Sequence, residues 1–129
     1  MPGKPYITLV NINKNKGMPY DVYIGRSSYT KNFWGNDFVI GVNGNRATVI
    51  EKFERKLLFR IAVSKEVTYD HFLGLRGKTL GCHCVPKRCH GEVIGFYVKL
   101  ACTMTEDEFY AICNVRHNSK TIGGFDKCY

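Results

Sequence analysis

The chain has 129 residues, of which 44% are hydrophobic and 13% aromatic, and it carries a formal net charge of +8. This length suits one globular domain, and no apolar run approaches the roughly 20 residues that a transmembrane helix needs. A positive surplus attracts phosphates, whether on nucleic acid or on a nucleotide. We therefore expect a single domain over residues 1–129, phosphate-bearing ligands and no membrane partner.

The chain has six cysteines, an even number that could form disulfide bonds, but reduced thiols are the better interpretation. A chain of this size folds without such bridges, its first residues show no secretion signal, and Cys82 and Cys84 are too close together for a structural pair. We expect a cytoplasmic protein, located in the host cytoplasm if the chain is viral.

The first third of the chain predicts strands and loops. Tyr6–Ile12 and Tyr20–Ile24 are rich in β-branched residues, and the turn-forming residues between them suggest a hairpin. Residues 27–37 are predicted to form a loop that contains the one tryptophan of the chain, Trp34. Aromatic residues in such a loop either line a ligand pocket or plug the end of a core.

The rest of the chain predicts helices with one strand among them. Helix Arg46–Val63 has an apolar stripe at three- and four-residue steps and begins after Asn45, a suitable N-cap. The elements predicted after it are helix Thr68–Leu75, strand Lys78–Cys82, a helix from about His90, and a last helix that starts at the capping box of Thr105 and ends near Val115.

This order of elements predicts a small single α/β domain, with a mixed sheet covered by helices and a Rossmann-like cleft. The core is expected to span about residues 6–115. The C-terminal tail, residues 116–129, is expected to dock loosely.

Residues 76–92 contain three of the six cysteines and two of the four histidines, and three interpretations of them stay open. Cys82, Cys84, Cys89 and His90 supply the ligand types of a zinc site, although their C-x-C-x4-C-H spacing is unusual. Alternatively, Cys89 near a helix N-cap is an activated thiol, with Cys84 as the rival nucleophile. The third interpretation is an anion cradle at the start of the helix.

Three arginines, Arg26, Arg46 and Arg76, lie close to glycines at the ends of predicted elements. In an α/β sheet such loops gather at the carboxyl ends of the strands, where ligands bind. We predict that these arginines hold the charge of a ligand while Trp34 stacks on its base and Asn36 lies in the same loop.

Several motifs together carry a resemblance to a known family. They are Tyr20–Arg26, Trp34–Phe38, Gly44–Arg46, Leu75–Pro86 and Cys89–Ile94. This combination resembles domain of unknown function 4326, found in bacteria, archaea and their viruses, over roughly residues 7–100. The resemblance implies an α/β fold and a prokaryotic or phage source, and it implies no reaction. The chain departs from the family pattern at Asp37, where proline is usual, and at His83, where tryptophan is usual.

The leading hypothesis is binding of a phosphate-bearing nucleotide or nucleotide-derived ligand in a cleft lined by the Cys84–His90 loop. If the protein is an enzyme, we expect transfer or hydrolysis at a nucleotide, with Cys84 or Cys89 as nucleophile and His90 as acid or base. One alternative is a zinc-stabilised, non-enzymatic module that binds nucleic acid. A further alternative is a phage host-takeover or anti-defence protein.

Overall fold

A computed structural model describes residues 6–13, 19–26, 32–83 and 87–120. Within these ranges three strands and four helices form a small α/β fold, which confirms the predicted class. The elements are β1 (Ile7–Asn11), β2 (Val22–Tyr23), α1 (Arg46–Ala62), α2 (Tyr69–Leu73), β3 (Lys78–Cys82), α3 (His90–Thr103) and α4 (Glu106–Asn118). None of these helices combines the length and apolar character that crossing a bilayer requires.

The sheet has the order β1-β3-β2, and both outer strands run parallel to β3. Leu80 of the central strand pairs with Leu9 on one side and with Val22 on the other. The predicted hairpin between the first two strands is therefore wrong, and so is the mixed sheet, because every described strand pair is parallel. The physical reason is burial: the last three residues of β3 are buried, which suits a central strand covered on both faces.

The predicted helix starts are confirmed. The side chain of Asn45 accepts a hydrogen bond from the backbone N–H of Thr48, and α1 begins at the next residue. Thr105 and Glu108 form the predicted capping box at the start of α4. This helix runs to Asn118, beyond its predicted end, and residues 121–129 of the predicted tail lie outside the described residues.

The first turn of α3 lies directly on the sheet because it contains Gly91. A Cβ atom at this position would come within 2.6 Å of Leu9 Cδ2 and 2.9 Å of Ile24 Cδ1, which is closer than real Cβ contacts. Any side chain here would have to displace the ends of the Leu9 and Ile24 side chains, so glycine suits this approach. It brings the start of α3 to the carboxyl ends of the strands.

A buried polar network joins α1, α3 and α4. Tyr97 Oη donates a hydrogen bond to Glu54 Oε2 at 2.5 Å, and Arg116 Nε donates to Tyr97 Oη at 2.9 Å. Arg116 Nη2 also donates to Glu54 Oε2 at 2.8 Å. Burial, reinforced by the neighbouring Glu54 carboxylate, raises the pKa of Tyr97 far above its ordinary value of 10.0, so the phenol remains protonated.

The network gives a first prediction. Tyr97→Phe should lower the free energy of unfolding by about 1–3 kcal/mol, because Glu54 and Arg116 each lose a buried hydrogen-bond partner. Urea denaturation should show a lower midpoint at an unchanged slope. Tyr20→Phe, which removes a hydroxyl from a side chain 44% exposed, is the matched control and should leave the midpoint nearly unchanged. Equal midpoints for Tyr97→Phe and the wild type would contradict the prediction.

Candidate functional site

A cleft of about 400 Å³ opens where the carboxyl ends of β2 and β3 meet the starts of α1 and α3. Parallel strands direct the residues that follow them to one edge of the sheet, which is where α/β proteins bind ligands. The residues that line the cleft are Tyr23, Gly25, Arg26, Asn36, Phe38, Val39, Ile40, Arg46, Val49, Ile50, Cys82, His83, Arg88, Cys89 and His90.

The structure brings together three of the five predicted ligand-binding residues, namely Arg26, Asn36 and Arg46. The indole of Trp34 is 7% exposed and packs in the hydrophobic core, outside the lining of the cleft. Arg76 lies in the exposed turn before β3, at the opposite end of that strand. Of the three residues that meet in the cleft, Arg26 lies shortly after β2, Asn36 lies in the segment between β2 and α1, and Arg46 begins α1.

Three arginines make the cleft cationic. Arg46 Nη1 donates a hydrogen bond to the backbone oxygen of Arg88 at 3.0 Å, which links the start of α1 to the segment before α3. Arg88 Nε lies 3.6 Å from Glu92 Oε2, so one carboxylate offsets part of the charge. The Arg88 and Arg26 side chains are exposed and accessible to an anion.

Another part of the lining is apolar and is contributed by residues 38–40 and by Val49 and Ile50 of α1. Asn36 holds this part in place, since its Nδ2 donates to the backbone oxygen of Val49 at 3.2 Å and its Oδ1 accepts from the N–H of Phe38 at 2.9 Å. Both polar ends of the Asn36 amide are engaged within the protein. Asn36 therefore positions the loop.

Hydrogen bonds of His90 connect the start of α3 to the backbone at Ile24 and at Trp34. His90 Nε2 donates to the backbone oxygens of Ile24 at 2.8 Å and Trp34 at 3.1 Å. Burial lowers the pKa of His90 from 6.5 to about 4, and the positive charge of Arg26 acts in the same direction. The ring is therefore neutral at physiological pH and keeps its single proton on Nε2.

Cys89 is the N-cap of α3, as the sequence predicts. Its Sγ accepts a hydrogen bond from the N–H of Gly91 at 3.4 Å and lies 3.7 Å from His90 Nδ1, to which the thiol donates. The Cys89 side chain is also 1% exposed and packs in the hydrophobic core, and burial in apolar surroundings works against a reactive thiolate. Its role as nucleophile stays a prediction, and the rival nucleophile Cys84 lies outside the described residues.

Sequence reasoning missed the contribution of His83 and Tyr23. Asn13 Nδ2 donates to His83 Nδ1 at 2.8 Å, His83 Nε2 donates to Tyr23 Oη at 2.8 Å, and Tyr23 Oη donates to the backbone oxygen of Arg26 at 2.9 Å. His83 directly follows the central strand, so it lies at the edge where the cleft opens. The signal in the sequence was that this chain has histidine at position 83, where the family usually has tryptophan.

The predicted zinc ligands do not gather into a metal site in the part of the chain that the structure describes. No three His, Cys, Asp or Glu side chains there lie close enough to hold one ion. Cys82, Cys89 and His90 are described, whereas Cys84 lies outside the described residues. The Nε2 of His90 is engaged with two carbonyl oxygens, so the described donors do not fit a zinc ion.

Residues 10–99 match the model of DUF4326, a domain of unknown function. The chain belongs to the DUF4326 family. A relative from Enterobacteria phage T4, the "Uncharacterized 12.4 kDa protein in nrdA-td intergenic region", is 37% identical over 105 residues, which are 80% of this chain and 88% of the relative. No solved structure matches the chain significantly. The resemblance predicted from the motifs is confirmed.

His90 makes the stability of this DUF4326 protein sensitive to acid. Its pKa of about 4 in the folded state lies below the ordinary 6.5, so the folded state binds fewer protons than the unfolded state between these values. The stabilisation is therefore complete above pH 6.5 and is lost as the pH falls toward 4. It amounts to at most about 3 kcal/mol.

The variant His90→Gln keeps an N–H donor but does not titrate, so its free energy of unfolding should fall less steeply in this window. Urea denaturation at a series of pH values measures both slopes. His117→Gln, on α4, is the control and should keep the wild-type slope. The same pH dependence for His90→Gln and the wild type would refute the assignment.

Proposed function

We propose that this protein binds a phosphate-bearing nucleotide or nucleotide-derived ligand in the cleft. The observation that supports this most directly is the lining, in which three guanidinium groups share one space of about 400 Å³ with an apolar surface. A nucleotide has the same two parts, an anionic phosphate and a base with apolar faces. The volume also falls within the range that is usual for small-molecule sites.

The cationic part of the cleft suits a phosphate group. Arg46 uses one N–H for the carbonyl of Arg88, and a guanidinium has five N–H donors in all. Bidentate pairing of arginine with phosphate gives both strength and orientation. The starts of α1 and α3 lie beside the same space, and the partial positive charges of their N-termini add to the attraction.

The apolar part of the cleft suits a base, and Phe38 is the aromatic residue that lines it. Val39, Ile40 and Val49 extend this surface. Phe38 therefore takes the stacking role that the sequence assigned to Trp34. The contribution of Trp34 is its backbone oxygen, which accepts from His90 and so holds the loop beside the cleft.

Transfer or hydrolysis at the bound nucleotide is a second proposal, supported by the hydrogen-bonded pair of His83 and Tyr23 in the lining. Histidine is the most common general acid or base in enzymes. Both rings are hydrogen-bonded, but His83 and its hydrogen bonds are exposed to solvent, whereas His90 is buried and neutral. We therefore assign proton exchange to His83 instead of His90 and keep Cys89 as the candidate nucleophile.

Nucleotide binding is tested with a matched pair of arginine variants. Nucleoside mono-, di- and triphosphates should raise the melting temperature of the wild type, because a ligand that binds the folded state stabilises it. Arg26→Ala should weaken binding at least about tenfold, as a charged phosphate partner is lost. Arg76→Ala removes the same charge outside the cleft and should bind like the wild type. The absence of stabilisation by every nucleotide, or equal losses in both variants, would count against the proposal.

The chemical step is tested by product analysis. Chromatography of nucleotides incubated with the protein should reveal a product, and His83→Asn should slow its formation by about a hundredfold or more while affinity changes little. His71→Asn, on α2 and outside the lining of the cleft, is the control and should retain the wild-type rate. If no nucleotide yields a product, or if His83→Asn is as fast as the wild type, the chemical proposal is overturned and binding alone remains.

A further inference from the structure

We infer that the ligand of the cleft is one nucleotide of a single-stranded nucleic acid, and that its neighbouring nucleotides bind a second groove beside α1. This inference rests on the proposed function of the cleft. The second groove encloses about 500 Å³ between α1 and α4, and we call it the α1 groove. Its lining includes Phe38, Lys52, Arg55, Lys56, Phe59 and His117.

The α1 groove and the cleft are neighbours, because Phe38 lines both. They also share α1, whose first residue, Arg46, lines the cleft, while Phe59 lies in the groove. With a rise of 1.5 Å per residue, Phe59 lies about 20 Å along the helix from Arg46. The combined path is longer than a single nucleotide and suits a short extended strand.

The groove is rich in cations that can meet phosphates. Lys52 Nζ donates to the backbone oxygen of Asn43 at 2.7 Å and lies 5.9 Å from the centre of the Phe38 ring. Lys56 pairs with Asp37, and both side chains are more than one third exposed. Exposed ion pairs of this kind contribute little free energy, so a phosphate competes with the carboxylate at low cost.

Arg55 adds a third cation, and two aromatic rings accompany the charges. Arg55 Nε lies 3.6 Å from Glu51 Oε1. Its Nη1 and Nη2 donate to the backbone oxygens of Ser119 at 3.3 Å and Lys120 at 2.7 Å. Its charge faces the groove, although these bonds hold the side chain in place. Phe59 is 47% exposed, and its ring centre lies 6.3 Å from that of His117. Exposed rings beside lysine and arginine are the features with which proteins bind single strands, because bases stack on the rings and phosphates follow the cations.

Single-stranded nucleic acid explains these features better than an acidic protein partner. An acidic peptide would be attracted by the cations, but it would not account for the exposed ring of Phe59 or for the position of the groove beside a cleft suited to a nucleotide. A base-paired duplex hides the faces of its bases, so it would not use the rings either. The charge of +8 on the whole chain is consistent with a polyanionic ligand.

The test compares a mononucleotide with an oligonucleotide on matched charge variants. Calorimetry with nucleoside monophosphates and fluorescence anisotropy with a labelled, mixed-sequence single strand of about six nucleotides, as DNA and as RNA, give the two affinities. The strand should bind at least about tenfold more tightly, with a steeper dependence of log K on log salt concentration.

The double variant Lys52→Gln and Lys56→Gln should lose at least about tenfold in affinity for the strand and keep its affinity for the monophosphate. Arg76→Gln with Lys78→Gln removes the same two charges at the start of β3 and should bind both ligands like the wild type. Phe59→Ala, which keeps every charge, should also weaken strand binding several-fold through lost stacking.

The outcomes separate this inference from the proposed function. If a monophosphate binds in a manner that depends on Arg26 but the strand binds no more tightly, the inference fails and the proposed function stands. If Arg26→Ala changes neither the affinity for the monophosphate nor the affinity for the strand, the proposed function fails and the inference fails with it. If poly-glutamate competes as well as the strand and Phe59→Ala has no effect, the groove binds an acidic protein and the inference is overturned.

Discussion

The geometry of the cleft depends on one buried imidazole. His90 stands at the first position of α3 and donates from Nε2 to the carbonyl oxygens of Ile24 and Trp34, which lie ten residues apart in the segment between β2 and α1. Burial keeps the ring neutral, with a pKa of about 4, so a single proton serves both carbonyls. Buried carbonyls that lose a donor are costly, which makes this contact a strong constraint on the loops.

The hydrogen bonds of His90 also determine where two residues of the cleft lie. Arg26 comes two residues after Ile24, and Asn36 comes two residues after Trp34, so fixing both carbonyls also places both side chains. The absence of a side chain at Gly91 allows α3 to approach the sheet closely enough for His90 to reach them. The sequence presented His90 as a catalytic candidate. In the structure its hydrogen bonds to Ile24 and Trp34 hold the cleft together.

Helix α1 connects the cleft with the rest of the molecule. Its first residue lines the cleft, its exposed basic residues line the α1 groove, and its buried Glu54 anchors it through Tyr97 and Arg116 to α3 and α4. Leaving the buried carboxylate of Glu54 without its partner Arg116 is destabilising, whereas breaking a pair of exposed charges costs little. The helix is therefore held firmly on its inner side, while its outer lysines remain available to a ligand.

The sequence by itself determined the features that depend on near neighbours. The apolar stripe of α1, its cap at Asn45, the capping box at Thr105 and the N-cap position of Cys89 all arise from residues a few positions apart, where helix periodicity and capping act. The family motifs are likewise local strings of residues, and they identified DUF4326 correctly.

Only the tertiary structure decided what depends on distant pairs. β2 pairs with β3 in place of β1, because Val22, far from Leu80 in the chain, pairs with it and packs partly buried against the core. The contact of His83 with Tyr23 depends on the same pairing. Trp34 lies in the core, which the sequence could not reveal. An aromatic residue in a loop suits a core as well as a pocket, and the residues around Trp34 do not indicate towards which of the two its side chain points. Strand order and loop direction are set by burial summed over the whole fold, which no short stretch of sequence contains.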